Sequence, residues 1–133
     1  MATILFELLS PERVLFSGEV RAVMLPATEG DMTVMPGHET TMATLNPGII
    51  AVTDSQGHGH RAFVRGGFVE ITGRSVSVLA ERALPPEELT RDRLDEEIIR
   101  LETMREAMRD DRARREVDFA INRLEQVKTT LSF

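Results

Sequence analysis

The amino-acid sequence predicts a β-sandwich, or a flattened barrel, of about eight to ten short antiparallel strands over residues 1–84, followed by a helical segment over residues 85–133. Three observations carry this. Up to Leu84 the apolar residues come in short runs separated by clusters of Gly, Pro, Asp, Asn and Ser. The pattern then breaks, and from Glu87 onward there is neither Gly nor Pro. Apolar residues in that last stretch recur at helical spacing.

The first apolar run, Ile4-Leu5-Phe6, stops at the turn signal Ser10-Pro11-Glu12. Val20 to Leu25 form the next run and Pro26 to Gly30 the next turn. Residues 15–50 are the most heavily punctuated part of the chain, with two charged turns, Glu29-Gly30-Asp31 and Pro36-Gly37-His38. Gly and Pro impose backbone paths that other residues resist, so this stretch is built to a particular shape. Asn46-Pro47-Gly48 leads into the run Gly48 to Val52, and Asp54 to Gly59 turns the chain toward Ala62-Phe63-Val64. Gly66-Gly67 makes a tight turn or bulge before Phe68-Val69-Glu70-Ile71, and Thr72-Gly73-Arg74 closes that strand. Val76, Val78 and Ala80 then alternate with Ser75, Ser77 and Leu79, the period of a strand with one wetter face. No helical window lies between these strands, which excludes a parallel sheet with crossover helices.

Pro85 and Pro86 end the last strand and suit a helix start, with Glu87 and Glu88 placed where the helix dipole favours acids. Leu94, Ile98, Leu101, Met104 and Met108 form one apolar stripe, and Val117, Ala120, Ile121, Leu124, Val127 and Leu131 a second. Between them lies the charged stretch RDDRARRE. Folding back as an antiparallel hairpin with its turn near Asp110-Asp111 lets the stripes cover each other. One continuous helix is the competing reading, because the turn lacks a Gly stop signal.

Composition removes several classes of function. There are no cysteines, so disulfides and thiolate metal sites are excluded. A net charge of −6 and the lack of Trp and Tyr argue against nucleic acid as a partner. No apolar run is long enough to cross a bilayer, and MATILFELLSPERV lacks the basic and apolar regions of a signal peptide. His58 and His60 have the spacing of a metal pair on a strand, but no third ligand follows, and a solvated hairpin turn is the better reading. His38 has no Ser or Cys nucleophile motif beside it and reads as a turn or interface residue. Residues 85–133 hold ten basic and thirteen acidic side chains, which is a mixed solvated face and not a basic patch. No nucleophile elbow, phosphate loop or metalloprotease motif is present, so no catalytic residue is assigned. The residues alone describe a two-part protein that docks its turns and helices on partners.

Four segments, SPERVLFSGEV, LPATEGDMTVMPGHETTMATLNPGII, FVRGGFVEI and SVSVLAERA, closely resemble the epsilon subunits of the F-type rotary ATP synthase (delta in mitochondrial naming). The resemblance covers nearly all of residues 8–84 in order and spacing, and continues more loosely to AINRLEQV in the tail. It implies a ten-stranded β-sandwich, a helical hairpin and a non-catalytic place in the central stalk. There the sandwich sits on the gamma subunit and the ring of c subunits, coupling proton translocation to ATP synthesis. It further implies a peripheral location on the cytoplasmic side of the bacterial inner membrane, with contacts to the alpha and beta subunits through the C-terminal helices. By the same resemblance, Glu29-Gly30-Asp31 matches an acidic turn facing the c ring, and His38, Thr40, Thr41 and Met42 match the face near gamma. Thr40 or Thr41 stands where the family commonly has Pro.

Some bacterial relatives bind ATP on these helices through a motif resembling I/L-D-x-x-R-A, and an extended form of the hairpin blocks ATP hydrolysis. The corresponding stretch here is Leu89 to Leu94, with Arg93 and, seven residues on, Arg100 as the candidate nucleotide-binding side chains. Thr90 replaces the acid and Leu94 the small residue, which removes an acceptor and crowds the approach. ATP is therefore the one cofactor to weigh, and an ATP-sensing inhibitor of hydrolysis is the alternative to a purely coupling role.

Overall fold

A computed structural model describes residues 2–131, and the chain divides into two compact units, Met1–Pro86 and Glu87–Phe133. Nine strands are present among the described residues: β1 (Ile4–Leu9), β2 (Val14–Ala27), β3 (Gly30–Val34), β4 (Thr41–Leu45), β5 (Gly48–Asp54), β6 (Gly59–Val64), β7 (Gly67–Ile71), β8 (Ser75–Ala80) and β9 (Ala83–Leu84). The long strand β2 is the key to the architecture. Its first half pairs with β1 (Ile4 opposite Val20, Leu8 opposite Phe16), and its second half pairs with β3 and β5 (Val23 opposite Val34 and Val52). One layer is thus β2-β1-β8-β7-β4, the other β3-β2-β5-β6-β9. Counting β2 in both layers supplies the tenth strand position that the sequence implied. The strand is continuous even though Ser17, Gly18 and Glu19 interrupt its apolar run.

Two further details depart from expectation. Pro26 lies inside β2 opposite Asp31, so the turn shrinks to Thr28 and Glu29. β1 and β8 pair in parallel, Leu5 opposite Ser75 to Leu9 opposite Leu79, while the other pairings are antiparallel. Side chains alternating inward from both layers make the core, with Ile4, Phe6, Leu8, Leu25, Ile50, Val69, Ile71 and Val78 essentially free of solvent. Each such side chain favours the folded state by about 1.5–3 kcal/mol relative to exposure.

Gly66-Gly67 is the place where the chain leaves one layer for the other. The pairing of β7 with β8 brings Gly67 opposite Ala80, and Arg65 N–H donates to Arg82 O at 2.9 Å. Gly67 has φ 130°, and a Cβ there would lie 2.3 Å from the Leu79 carbonyl oxygen. Only Gly fits.

In the second unit, a 3-10 turn at Pro86–Glu88 precedes α1 (Arg91–Ala107), which begins later than the prolines suggested because Thr90 is its N-cap. The Thr90 hydroxyl accepts from Arg93 N–H at 3.3 Å. α2 (Asp111–Thr130) is capped by Asp110, whose carboxylate accepts from Arg112 N–H at 3.1 Å. The chain therefore breaks over residues 108–110 by an acidic cap rather than a glycine stop, and the hairpin is the correct reading. Lys128 pairs with Asp95 and Arg105 with Asp118 at 2.5 Å, tying the helices together at two levels. Leu94, Ile98, Leu101, Val117, Leu124 and Val127 are buried as the stripes required. Met104 is 43% exposed and does not belong to the buried stripe.

Candidate docking site

The two charged turns of the sequence flank β3 at its two ends, the first joining it to β2 and the second leading toward β4. Glu29, Gly30 and Asp31 are all exposed at the β2–β3 turn, Gly30 holding φ 131°. Their carboxylates project into solvent, available to a cationic partner. The second turn has the pattern of type II, with Pro36 and Gly37 (φ 87°) at its centre and His38 N–H donating to Met35 O at 3.2 Å. Gly37 N–H donates to Gly73 O at 3.0 Å and fastens this loop to the β7–β8 turn.

His38 is half-buried, and its Nδ1 donates to the Glu39 carbonyl at 2.8 Å, which fixes the proton on Nδ1. The Thr41 hydroxyl donates to the same carbonyl at 3.1 Å, so His38 and Thr41 together shape the entry to β4. Neither arrangement activates a nucleophile. Thr40 is exposed and Met42 is 67% exposed.

Glu29 to Asp31 and Thr41-Met42, which the sequence associates with different partners, line one groove of about 760 Å³. Met32 and Phe68 also line it, and the Thr28 and Thr44 hydroxyls meet across it at 2.9 Å. β3 and β4 form its walls, and each is the edge strand of its own layer. His38 and Thr40 lie in the connecting loop and do not line the groove.

Beside the groove, the outer face of the layer containing β4 carries an apolar row that sequence reasoning did not assign. Leu9 stands opposite Leu79, Leu79 opposite Phe68, and Phe68 opposite Thr44. Leu79 is 45% and Phe68 40% exposed, and Met42 lies diagonally from Phe68 on the same face. The signal was present in the alternation at residues 75–80, where Leu79 falls on the wet side beside Ser75 and Ser77.

The remaining candidates resolve into structural roles. Asp54 organises the β5–β6 turn: its Oδ1 accepts from Gln56 and His58 N–H, each at 2.9 Å, and its Oδ2 accepts from His60 Nε2 at 2.8 Å. The His60 bond first, then the His58 backbone bond, pull its carboxyl pKa down to about 2. Among the described residues no group of three or more His, Asp or Glu side chains is arranged to hold a metal. In the helical unit, Arg93 faces Glu88 at 3.3 Å and Glu96 at 3.6 Å, while Arg100 faces the buried carboxylate of Glu97 at 3.9 Å. No described helix is long and apolar enough to cross a membrane.

An exposed apolar face beside an acidic groove has the character of a surface that docks other proteins. Residues 3–86 match the family described as ATP synthase, Delta/Epsilon chain, beta-sandwich domain. The chain is 49% identical over 109 residues to the ATP synthase epsilon chain of Ruegeria sp. (strain TM1040), covering 82% of this chain and 79% of that one. It is 50% identical over 93 residues to the ATP synthase epsilon chain of Parvibaculum lavamentivorans, covering 70% of each. A mitochondrial ATP synthase structure from Euglena gracilis, comprising OSCP, F1 and c-ring, contains a chain that superposes with TM-score 0.76 at 25% identity, over 98% of this chain and 82% of that one. The chain belongs to the delta/epsilon family of F-type ATP synthase subunits, whose place is in the central stalk and which are not themselves catalytic.

Proposed function

We propose that this subunit couples rotation of a proton-driven c ring to ATP synthesis by docking the ring and the gamma subunit on adjacent surfaces of the sandwich. The exposed acidic turn Glu29-Gly30-Asp31 carries the contact with the ring. Its carboxylates match basic loops, and such complementarity fixes register more than it adds affinity. The face near gamma is His38 to Met42 extended by the row through Phe68 and Leu79. Burying the half-exposed Met42, Phe68 and Leu79 contributes about 1 kcal/mol each, enough to give that face a directional preference. This places the chain peripherally on the cytoplasmic side of a bacterial inner membrane, held there by its partners.

The helical hairpin acts as a contact arm toward the alpha and beta subunits, without bound nucleotide. Supporting this, Arg93 and Arg100 already face Glu88, Glu96 and Glu97, so the triphosphate of ATP would have to displace carboxylates from both. Thr90 is committed as the N-cap of α1. The observation that carries the coupling role is the exposed acidic turn at the edge of the sandwich. Asp31→Arg tests it: proton pumping driven by ATP falls in the reconstituted complex while the Tm of the chain stays within a few degrees. Intact pumping with a lowered Tm would show that Asp31 is structural.

A further inference from the structure

We propose that the outer face of the layer containing β1, β8, β7 and β4 receives a helix of the partner laid across the strands. Its apolar stripe covers the row Val14, Leu9, Leu79 and Phe68, and it sets an arginine over Ser77, between Glu7 and Glu70. The inference rests on the reading of Phe68 and Leu79 as the face near gamma, and adds the form and charge of the segment that binds there. Register builds the row. Val14 stands opposite Leu9, Leu9 opposite Leu79 and Leu79 opposite Phe68, so four adjacent strands each supply one apolar side chain. Val14, at 62%, is more exposed than either Leu79 or Phe68, so the row stays wet to its far end. β1, β8 and β7 each pair with a strand on both sides, so a partner meets their side chains and not an open backbone edge.

The next row on the same face carries the charge. Glu7 stands opposite Ser77, and Ser77 opposite Glu70. These glutamates are the only charged residues within β1, β8, β7 and β4. Among the described residues neither has an ion-pair partner. Neighbouring strands lie about 4.8 Å apart, so the two glutamates are roughly 10 Å apart with the small Ser77 between them. That gap suits an arginine, whose fork of donors reaches a carboxylate on either side. Strand spacing selects the form of the occupant. Successive turns of a helix are about 5.4 Å apart, close to the step between strands, whereas side chains on one face of an extended segment recur at about 6.8 Å. Crossing from Val14 to Phe68 takes about 14 Å, or roughly ten residues of helix. A second copy of this chain would set its own Glu7 and Glu70 against the first pair, and the net charge of −6 opposes that too.

The test measures binding of the full chain to a purified complex of alpha, beta and gamma subunits. Phe68→Ser is expected to bind at least about tenfold more weakly. Glu7→Gln combined with Glu70→Gln is expected to lose about tenfold, roughly threefold for each exposed charge, and to show less salt dependence than the parent. Ser77→Arg fills the gap from within. Facing two acids across the strands, it should not lower the Tm, yet it should cost at least about tenfold in binding. A cysteine at Leu79 should cross-link to a cysteine scan of gamma at intervals of three or four residues, the period of a helix face. An alternate-residue period, disulfide-linked dimers of the free chain through position 79, or parent-like binding by the glutamate pair or by Ser77→Arg overturns the inference. If Ser77→Arg lowers the Tm, the glutamate pair alone decides. Where the charge variants bind like the parent but Phe68→Ser does not, the arginine-bearing helix falls and the reading of the face stands. Parent-like binding by Phe68→Ser removes both.

Discussion

Replacing Gly67 by alanine probes the crossing between the two layers, and Gly30 supplies a matched comparison. Both glycines hold nearly the same backbone angle, φ 130° and 131°. A Cβ at Gly30 meets nothing within 4 Å, whereas at Gly67 it would sit 2.3 Å from the Leu79 carbonyl oxygen and 2.8 Å from Ala80 Cα. Gly30→Ala thus costs backbone strain alone, about 1–3 kcal/mol. Gly67→Ala adds a backbone clash that only a shift of β8 relieves, a further 1–3 kcal/mol or so by analogy with overpacked cores. In a domain of this size each kcal/mol is worth roughly 4–8 °C, so Gly67→Ala should melt at least about 5 °C below Gly30→Ala. Gly59→Ala, with an ordinary φ and open space around its Cβ, should stay within about 0.5 kcal/mol of the parent. Calorimetry or urea unfolding of the four chains measures the series. Equal loss at positions 30 and 67 would refute the argument that close approach, and not φ alone, demands glycine at the crossing.

Two other outcomes follow from the same structure. Because Asp54 is held at about 2 in the folded chain, below the ordinary carboxylate value, its contribution is fully present above that ordinary value and fades as pH falls toward 2. Asp54→Asn should therefore lower the Tm at pH 7 and converge on the parent between about pH 4 and pH 2, read from melting curves across that range. Deleting residues 87–133 should leave a folded sandwich, since the core from Ile4 to Ala80 is supplied by the strands; a collapsed proton NMR spectrum for the truncated chain would contradict this.

Periodicity made both units legible, because each rests on a local rule. Val76, Val78 and Ala80 are buried and Leu79 is exposed, as alternation requires. The helical stripes pack at the expected spacing, and the break between them follows from Asp110 acting as a cap, a role its residue type advertises. What stayed hidden depends on distant pairing. Nothing local tells that β2 continues through Ser17-Gly18-Glu19 to serve two layers, that β1 and β8 run parallel, or that Pro26 sits in a strand. Met104 carries the right spacing but lies near the end of α1 at 43% exposure, where the charged pair Arg105 and Asp118 takes over the helix contact. For the site, the residue types of the acidic turn and of His38 to Met42 were readable. Their convergence was not: the groove shared by Asp31 and Met42 arises because β3 and β4 are edge strands of different layers, a property of topology.

The chain contains no cysteine, so single thiols report contacts without background. The most direct test of the docking account places one cysteine at Asp31 and, in a second variant, one at Phe68, and forms disulfides in the assembled complex with thiols introduced on the partners. The account predicts that position 31 cross-links to the c ring and position 68 to gamma, each cross-link halting rotation-coupled ATP synthesis only when it bridges rotor to stator and leaving it intact within the rotor. Cross-linking of position 68 to solvent-exposed stator subunits, or of neither position to the rotor, would contradict it.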